Sequence, residues 1–108
     1  MLYELRIYSP NPGKHADLHA RFANHTLKLW DSHGIRQVGF WTVAIGEANN
    51  DLYYILEWDS LAEREKKWTA FMSDPVWVET KRVSELAGPI LAKITNLMLT
   101  PTAYSKLK

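Results

Sequence analysis

His25 is the side chain whose type and position best suit it to move a proton. Leu18, Phe22, His25 and Leu29 follow one another at steps of four, three and four, the spacing of one helical face. An imidazole on such a stripe points at whatever the stripe covers, where it can shuttle a proton or ligate a haem iron. A core histidine satisfied by one hydrogen bond has the same spacing, and both roles stay open. A second group is Glu4, Arg6 and Tyr8, which alternate with Tyr3, Leu5 and Ile7 and so share one face of a strand. Glu57 can join them from a neighbouring strand. Charges on a covered face require partners, so the cluster either fixes an anionic or carbonyl ligand in a polar pocket or forms a structural ion pair that sets the register of a dimer. His25, Arg6 and Glu57 are the candidate catalytic residues.

Around them, Phe22, His25 and Leu29 supply the wall of an expected ligand site, with Trp41 and Trp58 as its aromatic floor. Apolar walls with one or two placed polar groups suit a small hydrophobic or aromatic ligand. Aromatic residues at these spacings also serve as plain core. His15 and His19, four apart, can share a metal ion, but no third ligand converges nearby in sequence and no metal site is expected. The chain has no cysteine, which removes disulfides, thiolate metal sites and thiol nucleophiles. No G-x-G-x-x-G, P-loop, G-x-S-x-G or H-E-x-x-H occurs, so nucleotide binding and the standard hydrolase arrangements lack support.

The elements that must position these residues are legible in the periodicity. Residues 2–8 alternate as a strand until Ser9-Pro10-Asn11-Pro12-Gly13 breaks it. A helix follows from Lys14 to Ser32, ended by Gly34. Residues 35–45 are β-branched and aromatic, with Gly39 a candidate bulge. After the turn at 46–51, Leu52 to Trp58 is apolar at almost every position. Ser60-Leu61-Ala62-Glu63 reads as a capping box, opening a helix with Leu61, Trp68, Phe71 and Met72 on its apolar side. Asp74-Pro75 restarts a helix with Val76, Val83, Leu86 and Ala87 inward, and residues 92–99 form the last strand.

This β-α-β-β-α-β order predicts a ferredoxin-like α+β domain spanning 1–108, a four-stranded antiparallel sheet with helices on one face. The third strand carries apolar residues on both faces, and helices cover only one, so a homodimer that buries the open face is expected. A length of 108 residues leaves room for one core, and 46% hydrophobic and 23% charged residues are ordinary for a folded domain. Net charge is +1 with both signs scattered, so neither nucleic-acid nor membrane binding is expected. The N-terminus resembles no targeting peptide and points to the cytoplasm.

Tyr3-Glu4-Leu5-Arg6-Ile7-Tyr8, Pro12-Gly13, His33-Gly34, Val38-Gly39-Phe40-Trp41, Gly46 with Asn49-Asn50, Trp58-Asp59 and Asp74-Pro75-Val76-Trp77 occur in an order and spacing that resemble the NIPSNAP family. The likeness runs from residue 2 to about residue 100. It implies the dimeric α+β barrel fold, shared with small monooxygenases and haem-degrading enzymes, and brings no agreed reaction. The expected function is therefore a small-molecule-binding or oxygenase-like barrel with its pocket between sheet and helices; the alternative is a non-catalytic dimeric binding or protein-interaction module. Haem is the one cofactor the resemblance suggests.

Overall fold

Strands β1 (Leu2–Pro10), β2 (Arg36–Thr42), β3 (Leu52–Trp58) and β4 (Leu91–Leu99) form one sheet in the order β2-β3-β1-β4 in the computed structural model, which describes all 108 residues. Every neighbouring pair is antiparallel. The first and third strands are central, as the β-α-β-β-α-β order requires. Between strands lie α1 (His15–Arg21), a π-helical turn (Phe22–Thr26), α2 (Leu27–His33), α3 (Leu61–Met72) and α4 (Pro75–Ser84). Gly34, at φ 69°, closes α2 in the left-handed conformation that a side chain would strain. The Ser60 hydroxyl accepts from the Glu63 amide at 3.1 Å to start α3, and the Asp74 carboxylate accepts from the Val76 amide at 2.9 Å to start α4. The β2–β3 register slips between Gln37 and Gly39, which makes Gly39 part of a bulge.

The covered face of the sheet carries Glu4, Arg6 and Tyr8 from β1 and Leu52, Tyr54, Leu56 and Trp58 from β3, all buried. Against it pack Leu18, Phe22 and Trp30 from the first helical segment and Phe71 and Trp77 from the second. The rings of Phe22, Trp30, Phe40 and Tyr54 meet in edge-on, tilted and stacked pairs with centroids 4.8–6.0 Å apart, the geometry that aromatic quadrupoles favour. Alternation places Leu5, Ile7, Tyr53 and Ile55 on the opposite, open face. Trp41 and Leu97 share that face and are each 50% exposed.

Three expectations change. Glu4 and Arg6 face the helices of their own chain and not a dimer interface, because β1 turns this side toward Arg64 of α3 and Tyr54 of β3. Glu57 does not join them. It lies opposite Tyr3 in the β1–β3 register, on the other face, and its carboxylate is 3.5 Å from Arg36. In the second helical segment Leu61, Met72, Val76, Val83 and Leu86 are exposed. Phe71 faces inward as expected, and Trp77 takes the place expected of the valines, with ring centroids 4.9 Å apart, since one buried indole removes more apolar area from water than a valine does. Trp68 is only half-buried.

Candidate functional site

The decisive local feature is the π-helical turn. The Leu27 amide bonds back to the Phe22 carbonyl, and the Thr26 hydroxyl donates to the Arg21 carbonyl at 3.3 Å. Both span five residues instead of four, so one extra residue enters the turn and every later side chain rotates. Leu18 and Phe22 face the sheet as the spacing requires, but Thr26 and Trp30 then occupy the places expected for His25 and Leu29. His25 is exposed on the outer surface, and Leu29 is half-buried beside the core. The expected role of His25 as proton carrier or haem ligand between helix and sheet is corrected by this one-residue shift.

Other predicted ligand residues are also dispersed. Phe22 lines the space between helices and sheet. Trp41 pairs with Tyr53 in register and stands on the open face, outside that space. Trp58 is buried on the covered face, where its indole N–H donates to Glu4 at 3.1 Å. His15 is exposed and His19 half-buried on α1.

What the fold brings together is a network anchored on Glu4. Its carboxylate accepts from Arg64 Nε and Nη2, Arg6 Nη1, Trp58 Nε1 and Asn96 Nδ2 at 2.8–3.1 Å. Burial is the largest single influence on its pKa and works against ionisation. The hydrogen bonds from Arg64, Asn96 and Arg6, with the charge of Arg6, outweigh it and lower the value to about 2. The carboxylate is thus charged at neutral pH and its lone pairs are taken.

Arg6 carries the network onward. Its Nε donates to the Tyr54 hydroxyl at 2.8 Å and its Nη2 to the Tyr8 hydroxyl at 3.2 Å, and its Cζ lies 4.7 Å from the Trp68 ring centre. Burial opposes its charge, but Tyr54, Tyr8 and Glu4 raise its pKa further. Burial pushes the Tyr54 hydroxyl well above the usual tyrosine range. The two hydroxyls share one hydrogen bond of 2.8 Å. Two protons and one shared bond leave one hydroxyl proton without an acceptor, and Tyr8 is the partner that borders open space.

That space is a cavity of about 100 Å³ between the π-turn, α3, α4 and the β1–β4 half of the sheet. Arg6, Tyr8, Arg21, Thr26, Trp30 and Trp77 border it, and no aspartate, glutamate or histidine does. The indole nitrogens of Trp30 and Trp77 are buried with no acceptor. Arg21 is 5% exposed; it donates to Ser84 Oγ at 3.2 Å and lies 5.3 Å from the Trp77 ring centre, but makes no ion pair. Its burial lowers its pKa. Arg21, Thr26, Trp30 and Trp77 were not among the sequence-derived candidates. The step-of-four series Leu18, Phe22, Thr26, Trp30 was the available signal, although a straight α-helix drifts about 40° at each such step.

Haem does not fit this site. A porphyrin exceeds a cavity of about 100 Å³, and no histidine reaches it to bind iron.

Comparison with known proteins agrees with the architecture. A family model described as NIPSNAP matches residues 3–106. The mouse Protein NipSnap homolog 3B is 31% identical over 85 residues, 79% of this chain and 34% of that protein. The chain thus spans about a third of the length of this curated relative. A NIPSNAP family protein from Agrobacterium tumefaciens superposes with TM-score 0.87 at 19% identity, covering 99% of this chain and 98% of that one. More distantly, a MhuD mutant with two manganese protoporphyrin IX molecules bound per active site gives TM-score 0.57 at 15% identity, covering 94% of each chain. At such identities the likeness is one of fold. With the family model matching almost every residue of a ferredoxin-like α+β domain, the chain belongs to the NIPSNAP family.

Proposed function

We propose that the protein binds a small molecule with an apolar body in the cavity between the helices and the sheet, as one subunit of a homodimer. The observation that carries the reading is an aromatic-walled cavity bordered by Arg21, which makes no ion pair, and by Tyr8, whose hydroxyl proton has no acceptor. A buried donor left unpaired costs about 1–3 kcal/mol, and a ligand that accepts from it recovers that loss. Binding is favoured over catalysis because neither a histidine nor a carboxylate borders the cavity to act as a base.

The protein has five tryptophans, so the indole N–H region of a nitrogen–proton correlation spectrum reports the site directly. A library of small aromatic and carbonyl compounds should shift the Trp30 and Trp77 signals and leave the Trp41 signal still. If no compound moves those two signals, the cavity is a packing defect and the reading fails.

The dimer belongs to the same proposal. Trp41, Leu97 and Leu99 are 41–50% exposed on the open face, beside Leu5, Tyr53 and Ile55. Two-fold pairing is the commonest way to cover such a face. Light scattering behind size exclusion should return twice the chain mass, and Leu97→Asp should return the monomer; a wild-type monomer at micromolar concentration refutes it. No helix is long and apolar enough to cross a membrane, and the setting we propose is the cytoplasm, where a chain without cysteine loses nothing to the reducing conditions.

A further inference from the structure

We propose that the ligand of this cavity is an organic acid, and that Arg21 is the counter-ion of its carboxylate. The inference rests on the small-molecule reading above and names the chemical class.

Charge accounting leads to it. Glu4 is the acidic group buried in this layer, and its five hydrogen bonds commit it to Arg6, Arg64, Trp58 and Asn96. Arg6 and Arg64 already exceed its charge by one. Arg21 adds a further buried cation whose named polar partner is the neutral Ser84 hydroxyl. Glu85 acts on Arg21 through its charge alone, with no hydrogen bond between them. Lys81 borders the same cavity. Buried charges are ordinarily paired, so the unpaired guanidinium lacks an anion that the chain itself does not provide.

Hydrogen-bond geometry selects the same partner. A carboxylate has about four acceptor positions and no donor. The cavity is lined by the converse: Arg21, whose guanidinium makes no ion pair, and Tyr8, whose hydroxyl proton has no acceptor, while the Trp30 and Trp77 indole N–H groups packed around it are buried and unpaired. Phe22, Phe71, Leu91 and Ile94 complete the walls with apolar surface. Such walls favour a carboxylate on a hydrocarbon body over a phosphate, whose remaining oxygens would lose their water without replacement. The volume of about 100 Å³ limits the body to a single ring or a short chain.

Benzoate, its neutral isostere benzamide and inorganic phosphate are the probes, each titrated into wild type, Arg21→Met, Arg21→Lys and Trp77→Phe. Wild type should bind benzoate at least tenfold more tightly than benzamide or phosphate. Arg21→Met should weaken benzoate by at least tenfold, the range of a charge-assisted hydrogen bond, and Arg21→Lys by less. Trp77→Phe keeps an aromatic side chain but removes the pyrrole half of the indole with its N–H, and should weaken benzoate severalfold. Unliganded Arg21→Met should melt no lower than wild type, because it removes an unpaired buried charge. A structural role for Arg21 predicts the reverse, a lower melting temperature with the benzoate preference intact, and that result overturns the proposal. Should Arg21→Met not fold, Arg21→Lys and Trp77→Phe still decide by their affinities. Equal binding of benzoate and benzamide overturns the acid assignment and leaves the small-molecule reading standing. Preference for phosphate overturns it in favour of an inorganic anion. No binding of any probe, with the Trp30 and Trp77 signals unmoved, removes both.

Discussion

Glu4→Gln tests whether the polar cluster is organised around one buried carboxylate. The substitution preserves size but replaces an oxygen that accepts hydrogen bonds with an NH2 that must face donors. At Oε2 these are Arg6, Arg64 and Asn96 at 2.9–3.0 Å; at Oε1 they are Trp58 and Arg64 at 2.8–3.1 Å. Removing one partner from a buried ion pair costs ~3–5 kcal/mol. Arg64 keeps 25% of its side chain exposed and can rehydrate, which favours the lower end. With an unfolding entropy of about 2.1 cal/mol/K per residue, a loss of about 3 kcal/mol lowers Tm by roughly 13 °C in a chain of this length.

The same carboxylate gives the loss a pH signature. Its folded pKa is depressed from 4.5 to about 2. A depressed acid stabilises the fold fully above its unfolded pKa, and that contribution disappears as pH falls from about 4.5 toward 2. At 1.36 kcal/mol per pKa unit, and discounted for residual screening by water, the term is about 2 kcal/mol. Urea unfolding at intervals from pH 2 to 7 reads it out. Wild type should lose about 2 kcal/mol more than Glu4→Gln between pH 5 and 2, so the two curves converge in acid. Parallel curves, or a Tm change under 3 °C, would show that the carboxylate is hydrated and that Arg6 is not held by it.

The helix register makes a paired prediction: His25→Ala should change stability by less than about 0.5 kcal/mol, whereas Trp30→Ala should cost ~3–5 kcal/mol by chemical denaturation; the opposite ranking would restore the regular helix. Deleting Asn24, an exposed residue of the π-turn, should convert that turn to α-helix and keep the fold while disturbing the Thr26–Arg21 bond, seen as an unchanged far-ultraviolet spectrum with displaced Arg21 side-chain resonances. Asp74 both caps α4 and bonds His33 Nε2 at 2.7 Å; the bond to His33 and then the Val76 amide lower its pKa, so its stabilisation is complete above the unfolded aspartate value and fades as pH falls through the folded one. Asp74→Asn should therefore lower Tm at pH 7 and flatten the acid limb of the Tm profile, and an unchanged acid limb would refute the pairing.

All four strands were legible, β1 from its period-two alternation and β2 and β3 from runs of β-branched, aromatic and apolar residues, and the central places of β1 and β3 followed from the order of the elements. The capping residues Ser60 and Asp74 and the left-handed Gly34 were equally legible, since each does its work within four residues of its own position. The site was not legible in the same way. A π-turn has no composition of its own, and a stripe drawn with 3.6 residues per turn ran correctly through Leu18 and Phe22 before leaving the true face at residue 25. One added residue moved a histidine to the surface and brought Thr26 and Trp30 to the cavity. The polar cluster shows the other kind of error. That Glu4 and Arg6 needed covering was sound reasoning from charge burial, but the sequence alone did not say which face of the sheet the helices took.

The two corrections have a common consequence for where function resides. With Glu4 and Arg6 on the covered face, these two charges are internal to the chain, and the open face is left with mainly apolar side chains. The proposed assembly and the proposed ligand binding should then separate by mutation, Leu97 substitutions acting on the first and Arg21 substitutions on the second. The π-turn connects to the second alone, because it ties the Arg21 carbonyl to the Thr26 hydroxyl and turns Trp30 toward the cavity. Turns of this kind usually cost backbone regularity and occur most often at functional sites. Here the irregularity sets the place of Trp30 in the cavity wall, which a regular helix over the same residues would carry elsewhere.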